Sequence, residues 1–487
     1  MMKVFQSVAS RLKGALTLVK RLARLLWISL RFATRVWIVD PLQRRRGRMP
    51  PTRPVRLRQY FETLGGSFIK LGQMLALQPD IVPPSYCDEL FDLMDRVHPF
   101  DYESARRIVY EELGAAPEEL FDEFNPVPIA TASIGQVYSA IFEGERVAVK
   151  IQRPAAAAEF IPDTRLGEIM VTLIRVLHLR PLHWLIEPTT EFIAWTREEL
   201  DYRNEARYTG QAGLNARGNA FERVPKVYAR VTSRRVAVFE FLRGVTALEL
   251  IRLRRQHGEI PLRNLPNGYR SSDYCTNVIE NFLAGAFNCG LYHADLHPAN
   301  LMVLEGSAVG YIDFGITGVL AEYSRNNLIA LTLAYAQNDG RKMFEIFLRV
   351  STVTPQSDFE GLERGLRHLA QGVAAAAETG SNTSITAIML AWLRLSGQTN
   401  IWPQRDVIKY IRSAVAVDGL IKRLDPEFCV GPALARAARR HVEAAIRRNV
   451  FSYDRLFDAL SEWTVLLEHG SAPFRNALDE LAGRGSA

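Results

Sequence analysis

Apolar residues recur every three or four positions between residues 57 and 114. Tyr60, Phe61, Leu64, Phe68, Leu71 and Leu75 make one run, and Leu90, Phe91 and Met94 follow. That spacing predicts helices, interrupted by Pro79, Pro83 and Pro84. From Gln136 the pattern changes. Gln136 to Phe142 is rich in Val, Tyr, Ile and Phe, Glu143-Gly144-Glu145 reads as a turn, and Arg146 to Ile151 returns. A β-hairpin is predicted, with Lys150 on its second strand and on the same face as Ala148. Val224–Val231 and Arg235–Leu242 read as a second strand pair. Between the pairs, one helix is predicted from Thr190 to Ala216, capped by Thr189 or Thr190, with Glu191 and Glu198 early and Arg207 late. Beyond residue 320 the pattern is helical, with breaks near Gly380 and Gly397. Leu328–Ala336 is apolar but too short to cross a bilayer. No internal repeat is present.

At 487 residues, the chain has room for two or three domains. Its hydrophobic content of 48% and charged content of 23% are those of a globular protein. The four cysteines, Cys87, Cys275, Cys289 and Cys429, are far apart and form no CxxC. This argues against a disulfide framework or zinc knuckle and fits a reducing compartment. Much of the net charge of +7 lies in the first sixty residues, where Asp40 is the single acid. Lys20, Arg21, Arg24, Arg31 and Arg35 alternate there with Leu22, Leu25, Leu26, Trp27, Leu30 and Trp37, a composition suited to a helix lying on an anionic membrane surface. Arg24, Arg31 and Arg35 interrupt each apolar run, so a spanning helix is not expected, and no h-region marks a secretory signal. Two other readings stay open: an Arg-rich transit peptide, and a solvated helix packed on its own catalytic body. Nucleic acid is not expected, since no stacking aromatics recur in a folded basic patch. Residues 44–54, rich in Arg and Pro, read as a linker.

Three motifs stand in fixed order: Val147-Ala148-Val149-Lys150, His293-Ala294-Asp295-Leu296-His297-Pro298-Ala299-Asn300, and Asp313-Phe314-Gly315. Together they carry the parts of a kinase-type phosphoryl-transfer site. Lys150 would hold phosphates, and Glu205 would orient it. Asp295 would position the nucleophile, and Asn300 and Asp313 would ligate Mg²⁺. On a single helix Asp201 and Glu205, four apart, would share a face, with Lys150 opposite Glu205. The HxDxH sequence could also be read as the ligand set of a metallohydrolase. That reading leaves Lys150 without a role. A glycine-rich phosphate loop is absent. Ala130-Thr131-Ala132-Ser133 replaces it, with a stiffer backbone and two hydroxyls for phosphate. Glu240 to Leu242 stands where a kinase hinge presents its backbone to adenine.

With these motifs in place, the chain resembles the UbiB/AarF family of atypical kinase-like proteins. The likeness rests also on Lys70-Leu71-Gly72-Gln73, a KxGQ element, and on Glu199-Leu200-Asp201, an ExD element followed by Glu205-Ala206. It runs from about Tyr60 to Ile316 and on to Leu424-Asp425-Pro426. The resemblance implies an α+β, protein-kinase-like two-lobe fold with a small β-rich N-lobe, a large helical C-lobe and an added amino-terminal helical extension. Residues 1–56 would be a basic membrane-proximal segment, 57–126 the KxGQ extension, 127–243 the N-lobe and 244–487 the C-lobe. It further implies that Lys70, Gln73, Glu199 and Asp201 meet over the active site and exclude a protein substrate. The expected activity is ATP hydrolysis or phosphorylation of a small molecule or lipid, in support of ubiquinone and related isoprenoid-lipid biosynthesis. ATP, with ADP as the alternative nucleotide, and Mg²⁺ are the implied cofactors. Implied partners are an anionic membrane surface, lipid or isoprenoid-quinone precursors and quinone-biosynthesis enzymes. The place is peripheral on the inner face of a bacterial-type membrane, with a mitochondrial setting as the alternative. A protein Ser/Thr kinase acting in trans and a non-catalytic nucleotide-binding scaffold are the competing functions. Two departures stand out: the loop has Thr131 and Ser133 among its alanines, and Ser471–Ala487 is polar where many bacterial relatives carry transmembrane helices.

Overall fold

The computed structural model describes residues 2–450 apart from 77–81, 91, 94–98, 132–133, 155, 180–181, 183–184, 258–264, 338 and 379–384. Pro79, Met94, Ala132, Ser133, Gly380 and Ser471–Ala487 therefore lie outside the described residues, as does Phe91. The chain opens with helix α1 (Met2–Thr34), which continues through a π turn at Arg35–Val39 into α2 (Asp40–Arg45). Next come α3 (Arg53–Leu64), α4 (Ser67–Ala76), α5 (Pro84–Leu90), α6 (Tyr102–Leu113) and α7 (Pro117–Leu120). Pro54 sits in the first turn of α3, where a missing N–H is harmless. Asp101 caps α6 by accepting from Ser104 N at 2.8 Å, and Gly114 ends it at φ 81°.

The amino-terminal helices have a small core of their own. Ile28 of α1 packs with Phe61 and Leu64 of α3, Ala76 of α4, Leu90 of α5 and Leu93. Phe32 stacks on Tyr60 with ring centroids 4.5 Å apart, and Ser29 and Tyr60 share a 2.7 Å hydrogen bond. Thus α1 carries three stripes. Arg21, Leu25, Ile28 and Phe32 face the protein, whereas Lys20, Arg24 and Arg31, continued by Arg35 of the π turn, are exposed beside them. Val19, Leu26 and Leu30 form the third stripe and are apolar yet 62%, 62% and 68% exposed.

The N-lobe sheet contains β1 (Glu123–Phe124), β2 (Ala130–Thr131), β3 (Gly135–Phe142), β4 (Glu145–Gln152) and, later in the chain, Val236–Glu240. Glu143 and Gly144 form the two-residue turn between β3 and β4 with φ of 52° and 76°. Positive φ at both positions matches the right-handed strand twist, and glycine supplies one without strain. Val147, Val149 and Ile151 of β4 are buried, packed in one cluster with Ala105, Ile108 and Val109 of α6. At about 1.5–3 kcal/mol for each large apolar side chain buried, that face anchors the strand. Lys150 and Ala148 therefore point the other way.

Helices α8 (Ala156–Val176), α9 (Ile186–Glu199) and α10 (Tyr202–Asn215) come next, then β5 (Glu222–Arg223) and β6 (Val236–Glu240). Two sequence expectations are corrected here. The helix expected over Thr190–Ala216 is two helices, because Asp201 turns extended and caps α10 through Arg203 N at 3.1 Å, while Tyr202 N bonds Arg234 O at 2.9 Å. The strand expected over Val224–Val231 reduces to an isolated bridge, Val227 to Phe239, followed by a 3₁₀ turn at Ala229–Val231. Pro225 removes a ladder donor from that stretch.

The C-lobe begins with β7 (Val245–Thr246), α11 (Ala247–His257) and α12 (Ser271–Leu283). Short strands β8 (Leu291–His293), β9 (Leu301–Val303), β10 (Val309–Tyr311) and β11 (Thr317–Val319) follow. Helices α13 (Glu322–Ala336) and α14 (Gly340–Arg349) lead to β12 (Ser351–Thr352). Then come α15 (Phe359–Glu378), α16 (Ile385–Thr399), β13 (Trp402–Pro403), α17 (Arg405–Leu424) and α18 (Val430–Val450). One large core that includes Tyr274, Ile279, Leu296 and Phe347 holds these elements together. The result is an α+β kinase-like body with a β-rich N-lobe and a helical C-lobe. Among the described residues, no helix is long and apolar enough to cross a membrane.

Candidate active site

Three local arrangements converge between the lobes. Strand β4 presents Lys150, and α10 presents Glu205 from its first turn. The Lys150 ammonium lies 2.8 Å from both Glu205 oxygens and 2.9 Å from Asp313 Oδ2. The other two motifs are joined by short strand pairs. Pairing of β8 with β11 sets His293 opposite Thr317, and pairing of β9 with β10 sets Met302 opposite Gly310. Asp295 and Asp313 thus leave neighbouring strand ends, and Ile312 N bonds Asn300 O at 3.0 Å. Asn300 Nδ2 donates to the Asp295 carbonyl at 3.1 Å and to its carboxylate at 3.2 Å. Gly315 N donates to Asp313 Oδ1 at 2.7 Å, which fixes the second carboxylate.

Electrostatics reinforce this geometry. Burial raises the Asp313 carboxyl, but Lys150 outweighs it and brings the pKa down to about 2. Burial opposes the Lys150 ammonium, yet Asp313 and Glu205 push it well above an ordinary lysine. Burial carries Glu205 up to about 7 against the pull of Lys150, and it raises Asp295 against Lys70. Lys150 also lies 5.2 Å from the centroid of the Tyr202 ring.

Both histidines of the HxDxH stretch are used as scaffold. His293 accepts Asp295 N on Nδ1 and donates from Nε2 to the Asp313 carbonyl. It links the two loops in that tautomer, and burial depresses its pKa to about 4. His297 accepts Ala299 N at 3.1 Å, and burial lowers it to about 3. Three of these four ring nitrogens are engaged by backbone, an arrangement that does not favour a His-ligated metallohydrolase centre. The remaining donors are oxygens: the Asp313 carboxylate and the Asn300 amide. Such a pair suits Mg²⁺, which keeps few protein ligands and takes the rest from phosphates and water. Among the described residues, no group of three or more His, Cys, Asp or Glu could hold a metal by itself.

Lys70 of α4 forms an ion pair with Glu199 at the end of α9. Burial opposes its charge, but Glu199 and Asp295 overcome this and raise its pKa. Its ammonium thus stands among the carboxylates of the site. Gly72 permits this approach, because a Cβ there would overlap Leu93 and lie 2.9 Å from Phe61. Gln73 instead turns into the helical extension and donates to Leu93 O at 3.3 Å. Asp201 also departs from expectation. It caps α10 and pairs with Arg203, so Glu199 alone of the two acids meets Lys70.

Ala130 and Thr131 pair with Val137 and Gln136, which seats the start of the alanine-rich loop on β3. In the Glu240 to Leu242 stretch, Phe241 N bonds Arg146 O at 3.1 Å and Leu242 is buried. The Glu240 side chain points outward, pairing with Arg223 and accepting Lys226 N at 3.1 Å.

Asp163 was not singled out from sequence. It sits in α8 after Pro162 and accepts Arg21 of α1 through two bonds of 2.6 and 2.8 Å. Ser67, at the start of α4, donates to the same carboxylate, and Arg21 also reaches Leu64 O at 3.2 Å. An aspartate inside a helix, next to proline, was the available signal.

A strand lysine, its helix glutamate, an HxD loop and a DFG loop in this arrangement define a protein-kinase-like body. The family model described as ABC1 atypical kinase-like domain matches residues 92–347. The chain belongs to that family. It is 30% identical over 427 residues to an uncharacterized protein, sll0005, of Synechocystis sp., a match covering 86% of this chain. The chain spans 60% of that relative's length. A solved Mycobacterium tuberculosis protein, Rv3197 in complex with erythromycin, is 24% identical, with a TM-score of 0.49 over 74% of this chain and 89% of that one.

Proposed function

We propose that this chain is an atypical kinase or ATPase that binds Mg-ATP under a cover made by its own amino-terminal extension. The observation that carries the proposal is the Lys150 ammonium shared between Glu205 and Asp313, with the Lys70–Glu199 pair beside it. Lys150, oriented by Glu205, neutralises phosphate oxygens. Asp313 and Asn300 would hold Mg²⁺, which would offset negative charge developing on the phosphates. Asp295, steered by Asn300, orients the attacking hydroxyl or water and takes its proton. Catalysis of this kind is largely positioning and electrostatics. Ala130 and Thr131, at the start of the alanine-rich loop, serve the phosphate side, and Glu240 to Leu242 the adenine side.

The Lys70–Glu199 pair, in the field of Asp295 and Asp313, supports a cover that keeps an acceptor peptide out. The acceptor is therefore a small molecule or lipid, of the isoprenoid-quinone precursor type implied by the family likeness, or water. Exposed Val19, Leu26 and Leu30 beside Lys20, Arg24, Arg31 and Arg35 support docking on an anionic membrane.

Calorimetry with Mg-ATP and Mg-ADP tests the site. Asp313→Asn is expected to abolish Mg²⁺-dependent binding, since the amide is a far weaker ligand. A variant with wild-type Mg-ATP affinity would refute the metal assignment. Phosphate release from ATP, measured with and without anionic liposomes, separates an enzyme from a nucleotide-binding scaffold. Strong phosphorylation of a generic peptide by the unmodified protein would favour a kinase acting in trans.

A further inference from the structure

Tyr202 follows the cap of α10 and is 1% exposed. Its ring faces the Lys150 ammonium, and its hydroxyl is buried with no hydrogen-bond partner among the described residues. That hydroxyl lies against β3 at Gly135, where a Cβ would overlap it. Gly135 is opposite Gln152, and Val137 is opposite Lys150, so Gly135 and Lys150 share one face of the sheet. The hydroxyl is therefore placed under the strand that leaves the alanine-rich loop, on the lysine side. A buried donor without an acceptor is costly to keep, and such groups in native folds call for an explanation. Three carboxylates, Glu205, Asp313 and Glu199, contribute to its electrostatic surroundings, yet none takes its proton. Burial foremost holds the phenol above its ordinary pKa, so the group stays a neutral donor.

We infer that the Tyr202 hydroxyl is a phosphate-binding donor: it hydrogen-bonds an oxygen of the nucleotide's phosphate chain beside Lys150. This inference rests on the nucleotide reading proposed above and adds a residue that none of the three motifs contains. Glycine at position 135 is consistent with it, since a Cβ there would overlap this hydroxyl as well as crowd the Ile151 carbonyl oxygen. A charged acceptor suits this donor, because hydrogen bonds to ionised groups are the stronger ones.

The test compares Mg-ATP with adenosine, which lacks phosphates, by calorimetry on wild type and Tyr202→Phe. The variant removes one oxygen and keeps the ring over Lys150. Expected is a loss of roughly tenfold or more in Mg-ATP affinity, with adenosine affinity unchanged. Thermal melting of the free protein should not fall, because a stranded hydroxyl has been removed. Equal Mg-ATP affinity in the two proteins would overturn the inference while leaving the nucleotide reading intact. A parallel loss for adenosine would also overturn it, assigning Tyr202 to general packing. Absence of Mg-ATP binding by wild type would sink the nucleotide reading and this inference with it.

Discussion

Lys70→Ala is expected to make the protein less stable and more active at once. Lys70 faces the buried Glu199 and lies within the field of Asp295 and Asp313. At an ordinary ion-pair separation of about 3 Å and an effective dielectric of about 20, one such pair is worth about 5 kcal/mol of attraction. Removing one partner of a buried pair costs about 3–5 kcal/mol, because the other charge stays desolvated. Burial already raises the Glu199 carboxyl, and without Lys70 it rises further. The native state then holds a proton that the unfolded chain releases near pH 4.5. Stability of the variant should therefore fall as pH climbs above about 4.5. Chemical denaturation at pH 5 and pH 8 should show the larger deficit at pH 8. Lys70→Ala combined with Glu199→Gln should recover to within about 1 kcal/mol of wild type, since the neutral amide needs no counter-charge. Labelled ATP should meanwhile reveal phosphorylation in cis by Lys70→Ala and none by wild type. Additive losses in the double variant, or a deficit independent of pH, would show that Lys70 does not neutralise Glu199.

Other expectations follow from the same geometry. Lys150→Met and Glu205→Gln should each abolish most activity, and the double variant should lose little more, because the pair acts as a unit; full additivity in kcat/KM would contradict the contact. His293 is neutral in the fold, with a pKa of about 4 against an ordinary 6.5, so its contribution is complete above pH 6.5 and is lost as pH falls to 4. That difference corresponds to about 3 kcal/mol, and His293→Asn should flatten the stability profile across this interval; an unchanged acid limb would exclude it. Leu26→Ser with Leu30→Ser should weaken sedimentation with anionic liposomes without changing Mg-ATP affinity, and binding by wild type should decline with salt. Salt-insensitive binding that survives both substitutions would refute membrane docking through α1.

The hairpin carrying Lys150 was legible because alternation and a Gly-containing turn are local signals. So was the pairing of Lys150 with Glu205, through motif spacing. The break between α9 and α10 was hidden, since its cause is tertiary: Tyr202 N bonds the distant Arg234 carbonyl. This break also moved Asp201 from the cover to a cap. Pro225 did mark the missing strand, but the neighbouring valines outweighed it in a periodicity reading. The composition of the basic amino terminus pointed to a surface helix, though not to its separate stripes. It could not disclose that Arg21 meets Asp163, 142 positions away.

That contact has a practical consequence for dissecting this protein. The Asp163 side chain is 2% exposed and is neutralised by Arg21, while Ser67 of the KxGQ helix shares the same carboxylate. A fragment beginning after α1 would leave a buried charge with a hydroxyl for company, directly beneath the helix that positions Lys70. Such a fragment is a differently wired protein rather than a shortened one. An exchanged or engineered amino terminus would have to carry an arginine in the same helical register, whatever surface its outer face is built to meet.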